Sequence, residues 1–235
     1  MAFLTNVDKK RKYRKAEKII RILRKFVDDL SKCNVLDIGT GSGYISEYFC
    51  KRCYKQYSVD IDDLRLTKKG YKFAKYGGRL LPFPNNKFDV VISNGVIEHV
   101  KDQKKHLDEI YRVLKKNGIA YICTPNKYWF IDGHTHLPFI TYLPHKLADR
   151  YMKIMKAEFS LFTDGNWGVR ALSYNKLKRM SNKFAFTDMT ANIMKNPDKY
   201  GLKDYMAFHL TKYLPLPILR LLKYISPTFV VVLRK

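Results

Sequence analysis

Glycines at alternating positions give the sequence its clearest chemical signal. Gly39, Gly41 and Gly43 follow the strand-like run Asn34–Ile38 and lead into a helical segment. Glycines at such a turn let backbone N–H groups approach a ligand closely. The G-x-G-x-x-G spacing would need glycine where Tyr44 stands, and no G-K-[ST] follows, so neither common phosphate loop is present. The turn predicts a ligand-binding loop of another kind.

An acidic residue near the end of the second strand-like run adds to this signal. Asp60 lies 17 residues beyond Gly43, within the run 56–61. A carboxylate at the tip of that strand can accept both hydroxyl protons of a ribose. Taken singly, each feature also fits an ordinary strand-to-helix turn or a solvated strand end. Taken together, they favour a ligand that contains a nucleoside.

Alternating strands and helices must position these groups. The sequence predicts strands at 34–38, 56–61, 88–93, 119–123 and 229–234, and helices at 44–53 and 62–75. A further helix, closed by Asn117-Gly118, has one apolar face at Leu107, Ile110, Tyr111 and Leu114. This alternation is typical of parallel βαβ units in a doubly wound α/β sheet.

The sequence pattern is less regular in the segments before and after these strands and helices. An N-terminal helix within 8–31 carries an apolar stripe from Ile19 to Leu30 and is preceded by six basic residues in 9–15. Residues 126–168 are rich in aromatics, His and Pro, and predict a partly helical cap. A helix capped by Ser173 and a strand within 184–194 should follow.

One domain, 1–235, is the simplest organisation. We expect its parts to be an N-terminal helix (8–31), a ligand-binding core (32–125), an insert (126–172) and a C-terminal helix-strand region (173–235).

Four pieces of the chain occur together in one known family. They are the glycine turn, Leu81-Pro82-Phe83, the run Phe88-Asp89-Val90-Val91, and Glu98-His99; residues 112–118 add RVLKKNG, close to R-V-L-K-P-G-G. This order and spacing resemble class I S-adenosylmethionine-dependent methyltransferases, and more narrowly the subfamily with an "LPF…FDVV…EH" signature. The resemblance is close over about 35–126 and loose beyond.

The resemblance implies a fold and a cofactor. The fold would be a Rossmann-like, mostly parallel seven-stranded sheet with an antiparallel last strand and a cap-like insertion after the fifth strand. The cofactor would be S-adenosyl-L-methionine, released as S-adenosyl-L-homocysteine. The implied cofactor-binding residues are Asp37, Gly39, Thr40, Gly41, Gly43, Asp60, Ile61, Leu80, Leu81, Ser93 and Asn94.

Two departures from related patterns bear on the site. The family often has an acid shortly before L-P-F to read the adenine amino group, whereas residues 75–80 contain none. Some quinone-pathway relatives bind a metal through an extra acid before E-H. Here that region is Asn94-Gly95-Val96, so we expect no metal.

Histidines are the candidate catalytic residues. A hydroxyl acceptor must lose its proton, and a positioned His can assist by about 10²–10⁴-fold. His99 belongs to the E-H pair, while His134 and His136 lie in the stretch 128–139. That stretch resembles an insert of bacterial and archaeal methyltransferases, many assigned to glycan or lipid-linked acceptors. Structural roles for all three residues stay open.

Composition limits the class of protein. The chain is 46% hydrophobic with a net charge of +24, which excludes a disordered polypeptide and favours anionic partners. No apolar run approaches the ~18 residues of a membrane span, and the start lacks a signal-peptide pattern, so a cytoplasmic protein is expected. Cys50 and Cys53 form one C-x-x-C without further zinc ligands, which favours reduced thiols.

Three functions remain open at this point. The favoured one is methyl transfer to a small-molecule or glycan/lipid-linked acceptor. An RNA methyltransferase fits the charge, but no N-P-P-[YF] tetrapeptide or RNA-binding module is present. A non-catalytic cofactor-binding protein would be expected to lose the glycines or Asp60, and both are retained.

The location of the C-terminal helical run allows two interpretations. The helical run 218–225 either packs on the sheet or lies, with the basic cluster 9–15, in an anionic membrane interface.

Overall fold

Seven strands form one sheet in the computed structural model, which describes residues 2–53, 55–156, 168–200 and 210–235. The strand order is β3-β2-β1-β4-β5-β7-β6. Strand β7 runs antiparallel to both β5 and β6, and the other neighbours are parallel. The predicted fold class is therefore confirmed. The strands are β1 Asn34–Ile38, β2 Lys55–Asp60, β3 Lys72–Lys75, β4 Phe88–Asn94, β5 Leu114–Pro125, β6 Ala185–Asp188 and β7 Thr228–Arg234.

The order of the strands fixes where a ligand can bind. Chain order reverses between β1 and β4, and in open α/β sheets ligands occupy the crevice beyond the carboxyl ends at such a point. The central strands are buried on both faces, as expected of parallel strands covered by helices. One apolar core includes Leu107 and Ile110 of a covering helix, and the core on the other face includes Ile19 and Ile22.

Seven α-helices are present in the part of the chain that the structure describes. They are α1 Ala2–Leu23, α2 Tyr44–Cys50, α3 Gln103–Val113, α4 His145–Ile154, α5 Tyr174–Met180, α6 Thr190–Lys195 and α7 Leu216–Leu222. The predicted cap of α5 is confirmed, because the Ser173 side chain accepts a hydrogen bond from the Lys176 N–H at 3.3 Å. Among the described residues, no helix is long and apolar enough to cross a bilayer.

The helix predicted over 62–75 is wrong. Residues 62–71 are irregular, and Lys72–Lys75 forms edge strand β3, paired with β2. The segment lacks a continuous apolar stripe, since Leu64 and Leu66 are exposed. Arg65 instead forms a two-pronged ion pair with Asp63, which favours a local turn.

Other helix ends also differ from prediction, and α2 ends at Cys50, before 53. Helix α1 ends at Leu23, before 31, because the Asp29 side chain accepts the Ser31 N–H and starts a short 3₁₀ turn. Helix α3 ends at Val113, and Leu114 already pairs with Phe88 in the sheet. The predicted Asn117-Gly118 closure is therefore wrong, although Asn117 does have a positive φ of 64°, within β5.

The predicted cap is partly helical. It contains a 3₁₀ turn, Ile140–Tyr142, and α4, and a small apolar cluster of its own that includes Ile140, Ala148 and Met152. Trp167, an aromatic of this insert, lies outside the described residues. The cap follows β5 directly, so it stands at the carboxyl edge of the sheet.

Candidate functional site

The glycine turn joins β1 to α2, and its glycines differ in how much space surrounds them. A Cβ at Gly43, where φ is +81°, would meet the Tyr71 hydroxyl and lie 2.7 Å from the carbonyl oxygen of Thr67. At Gly41 no atom lies within 4 Å of the Cβ position. Gly43 therefore serves the packing of the turn, and Gly41 borders open space that a ligand can enter.

Asp60 ties the tips of β1 and β2 together. Its Oδ2 accepts the Gly41 N–H at 2.8 Å, and its Oδ1 accepts the Ile61 N–H at 2.8 Å. Each carboxylate oxygen has a second lone pair to offer. The carboxylate is thus held by two backbone donors and can still accept the two hydroxyls of a ribose.

Asp37 is buried beneath the same turn. Its Oδ2 accepts the Ser46 hydroxyl at 2.8 Å, and the Thr40 and Ser46 hydroxyl oxygens are 3.1 Å apart. Burial raises the pKa of Asp37 to about 6, against the lowering effect of these hydroxyls. Asp37 and Thr40 therefore connect β1 to the first turn of α2, a supporting contact that the sequence did not reveal.

Apolar side chains flank the crevice beyond β2. Ile61 is 44% exposed and Leu80 is 63% exposed, so both can contact a planar ring. Leu81 is buried, and its N–H donates to the Glu109 carboxylate at 2.9 Å. Arg112 donates to the same carboxylate, and together these bonds keep the pKa of Glu109 low despite its burial. This carboxylate holds the Leu81 loop, and sequence reasoning missed it.

The loop after β4 packs against the glycine turn. Cγ2 of Val96 lies 2.5 Å from the position that a Cβ would take at Gly39, and φ there is +71°, so both the space and the backbone favour glycine. Asn94 ends β4 and is half-buried. Ser93 is fully buried, with its hydroxyl 3.1 Å from Nε2 of His106 in α3. The Ser93 side chain is therefore engaged with α3, which leaves Asn94 as the polar side chain at this strand end.

Three side chains converge at the carboxyl ends of β4 and β5. One oxygen or ring nitrogen from each of Glu98, His99 and His134 lies within 4.8 Å of the others. The two imidazole rings meet edge to face, with centroids 5.1 Å apart. Glu98 is 1% exposed, and its Oε2 accepts the Thr124 hydroxyl at 3.1 Å. We call these three residues the EHH cluster.

Asp132 shapes the loop that brings His134 to the cluster. Its buried carboxylate accepts the backbone N–H groups of His134 and Thr135 at 2.8 and 2.7 Å. The other oxygen lies 3.3 Å from Nδ1 of His134, whose side chain is 29% exposed. The position of His134 therefore depends on a carboxylate two residues before it.

Burial and charge set the protonation of the EHH cluster. Burial raises the pKa of Glu98 to about 7 and lowers the pKa of His99 to about 4, the latter helped by His134. The pKa of His134 is raised, because hydrogen bonding and charge from Asp132 outweigh its burial. His136 is exposed, has a φ of +58°, and donates its backbone N–H to the Asp132 carbonyl.

Comparisons with known proteins agree with this architecture. A family model described as a methyltransferase domain matches residues 36–122. A "probable S-adenosylmethionine-dependent methyltransferase" of Mycolicibacterium smegmatis is 30% identical over 105 residues, 43% of this chain and 41% of that protein. The ubiquinone biosynthesis O-methyltransferase of Pelagibacter ubique is 31% identical over 111 residues, 42% of this chain and 44% of that protein.

A solved structure extends the likeness to most of the fold. The S-adenosylmethionine-dependent methyltransferase from Mesorhizobium loti superposes with a TM-score of 0.59 at 13% identity, over 91% of this chain and 96% of that one. Residues 36–122 therefore form a methyltransferase domain, in a fold that most of the chain shares with an S-adenosylmethionine-dependent methyltransferase. The matched regions span less than half the length of the two curated relatives.

The methyltransferase domain brings some predicted residues together and separates others. Gly39, Gly41, Asp60 and Asn94 meet around the crevice between β1 and β4, where the family's cofactor, S-adenosylmethionine, is expected. His99 and His134 meet in the EHH cluster, and His136 does not join it.

Two acidic residues near the histidines were missed as site residues. Glu98 was read only as part of a signature, and Asp132 was not singled out. The available signal was their spacing, since Glu98 is next to His99 and Asp132 is two residues before His134.

Proposed function

We propose that this chain is an S-adenosylmethionine-dependent methyltransferase that acts on a hydroxyl of a small-molecule or glycan/lipid-linked acceptor. The observation that carries the proposal is the EHH cluster, which lies at the strand ends beside the glycine turn rather than elsewhere on the surface. Polar side chains that converge next to a cofactor crevice are what an acceptor hydroxyl requires.

The cofactor-side residues fit S-adenosylmethionine. The open space at Gly41 admits the ligand, the Asp60 carboxylate would accept the ribose hydroxyls, and Ile61 and Leu80 would flank the adenine. When bound, S-adenosylmethionine supplies an electrophilic methyl group: the acceptor oxygen–carbon bond forms as the carbon–sulfur bond breaks, and the electron pair stays on sulfur in S-adenosylhomocysteine.

The chain's contribution to the reaction is mainly alignment. An in-line displacement needs the acceptor oxygen fixed opposite the leaving group, and such positioning can be worth about 7–11 kcal/mol. The EHH cluster would orient the hydroxyl, and its proton would pass to solvent water as the new bond forms. Tyr128 and Phe130, both exposed on the insert, can stack on a sugar or another ring.

A lipid-linked acceptor is supported by the exposed apolar surface. Leu221, 71% exposed, and Ile225 project from the region of α7, while Leu219 packs on α6. The Asn126 side-chain amide donates to the carbonyls of Tyr224 and Ser226, so this region adjoins the start of the insert. Exposed apolar side chains on the insert itself include Tyr128, Phe130, Ile131, Phe139, Tyr142, Leu147, Ile154 and Met155.

Transfer of a labelled methyl group tests the acceptor class. The full chain is incubated with methyl-labelled S-adenosylmethionine and cell extract separated into lipid, soluble-metabolite, RNA and protein pools. We expect label in the lipid or metabolite pool, and much less there with Asp60→Ala at a subsaturating cofactor concentration. Label confined to RNA or protein would contradict the proposed acceptor, and calorimetry that shows no cofactor binding by folded protein would contradict the function altogether.

Vesicle flotation tests the membrane contact separately. We expect binding to vesicles that contain anionic lipid, weakened by salt as exposed charges are screened. The double variant Leu221→Ser, Ile225→Ser should float poorly, and Leu64→Ser, Leu66→Ser, two exposed leucines beyond β2, serves as the matched control. No binding to anionic vesicles at low salt would end the membrane proposal.

A further inference from the structure

The EHH cluster has the composition of a metal site. It presents two imidazole nitrogens and one carboxylate oxygen, from the loop after β4 and from the insert, around one point. We propose that Glu98, His99 and His134 bind a divalent transition-metal ion. Sites of two histidines and one carboxylate bind zinc and other first-row divalent metals, whereas Mg²⁺ and Ca²⁺ prefer all-oxygen ligands.

The distances suit an ion after small side-chain adjustments. The three ligand atoms lie within 4.8 Å of one another. Bonds of about 2.1 Å in tetrahedral geometry separate neighbouring ligands by roughly 3.4 Å. Each side chain therefore has to move by about 1 Å or less. Three protein ligands leave at least one coordination position for another molecule, as in catalytic rather than structural sites.

Neighbouring groups hold two of the ligands in place. The Asp132 carboxylate faces Nδ1 of His134, so Nε2 would be the ligand atom, the arrangement usual for metal-bound histidine. The Thr124 hydroxyl donates to Oε2 of Glu98, which leaves Oε1 on the other side of the carboxylate.

A bound cation would also offset the free-energy cost of burying the Glu98 carboxylate. A carboxylate this buried is expensive unless it is paired. In the described part of the chain, no hydrogen bond or salt bridge joins this carboxylate to a Lys or Arg side chain. An ion between Glu98 and the two imidazoles would place a positive charge directly beside this carboxylate.

This proposal departs from the expectation of no metal. That expectation followed from the absence of an acid in Asn94-Gly95-Val96. The insert delivers His134 to the cluster from 35 residues beyond His99, so the third ligand comes from a part of the chain that local spacing does not reveal.

A bound metal would also determine how the EHH cluster activates the acceptor hydroxyl. This consequence rests on the proposed function. An acceptor hydroxyl in the open coordination position would have its pKa lowered and would lose its proton to solvent water. His99 and His134 would then act as ligands and not as the base.

Cobalt titration tests the site on the full chain freed of metal by a chelator. Co²⁺ serves as the probe through its visible absorption, and Zn²⁺ competes. We expect one ion per chain, with at least a hundredfold weaker binding in Glu98→Gln and His134→Ala. Asp132→Asn should weaken binding by about 10–100-fold. His136→Ala, in the same loop but outside the cluster, should bind as the unaltered chain does.

Several outcomes would overturn the proposal. No Co²⁺ or Zn²⁺ binding by folded protein would do so, and so would thiolate charge-transfer bands, which would place the ion at Cys50 and Cys53. Equal affinity in the cluster variants, with melting curves like that of the unaltered chain, would also count against it.

Calorimetry with S-adenosylmethionine on the same metal-free sample separates this result from the proposed function. Cofactor binding and methyl transfer without metal binding would remove only the metal site. Metal binding without cofactor binding would remove only the proposed function.

Discussion

The two halves of the candidate site are built differently. On the cofactor side, Gly41 and Asp60 lie 19 residues apart and are joined through a backbone N–H. On the acceptor side, Glu98 and His134 lie 36 residues apart and meet only through side chains. Backbone geometry positions the first half, and the fold of an insert positions the second.

This difference separates binding from chemistry. A turn held by main-chain bonds can present the same ligand-binding surface whatever follows β5. The insert can change its side chains without disturbing that turn. Substitutions on the acceptor side should therefore alter turnover and leave cofactor affinity intact, and substitutions on the cofactor side should do the reverse.

The strongest test of this separation is His134→Ala. Loss of one imidazole from the EHH cluster should lower the rate of methyl transfer by about 10²–10⁴-fold, whether the group is a ligand or a proton acceptor. Cofactor affinity, measured by calorimetry, should stay within twofold. His136→Ala should cost less than tenfold. A parallel loss of cofactor affinity in His134→Ala would place this residue in the other half of the site.

Gly43→Ala should break the cofactor half by unfolding its turn. The added methyl would meet the Thr67 carbonyl, and φ is +81°, so we expect a loss of about 3 kcal/mol in the free energy of unfolding. Gly41→Ala, with open space around its Cβ position, should cost about 1 kcal/mol. Urea unfolding of both variants measures the difference. Equal losses would mean that the positive φ at both glycines, and not the close contacts at Gly43, determines the stability of the turn.

Asp60→Ala should weaken cofactor binding while the protein stays folded. Charge-assisted hydrogen bonds to the ribose hydroxyls are worth about 1.5–3 kcal/mol, or roughly 10–150-fold in affinity. Asp62→Ala is the matched control, because that carboxylate is exposed and pairs with Lys75. A larger loss of affinity in Asp62→Ala would mean that Asp62, and not Asp60, binds the ribose hydroxyls.

Asp37→Asn should show its effect as a pH dependence of stability. In the folded chain, burial raises the pKa of Asp37 from its ordinary 3.8 to about 6. Between these values the unfolded chain is already ionised at this residue, so the folded state loses stability as pH rises from about 4 to 6. Asparagine cannot ionise. The variant should therefore gain stability relative to the unaltered chain across that window, by about 3 kcal/mol. A constant difference in urea midpoints from pH 4 to 7 would contradict this.

The sequence predicted the sheet and the glycine turn because both are local. Alternating apolar runs and a spacing of glycines are read within a few residues. The same locality explains the error over 62–75, where basic residues suggested a helix. What decides that segment is the exposed edge of β2, which pairs with Lys72–Lys75, and this pairing is a tertiary effect.

The acceptor half was predicted only in outline. His99 and His134 were named from their residue type and motif, but their convergence with Glu98 depends on how the insert folds back over β5. Asp132 illustrates the limit: its carboxylate accepts two backbone N–H groups within its own loop, a role visible only once the loop has a shape.

The place of β7 in the sheet has a consequence for how the chain folds. Residues 228–234 lie between β5 and β6, and Cys123 pairs with Val230 across more than a hundred residues. Until that late segment leaves the ribosome, β5 presents an unpaired, strongly apolar edge, of the kind that invites aggregation. Pairings so distant in sequence also slow folding. Synthesis of this protein should therefore include an interval in which chaperones protect β5.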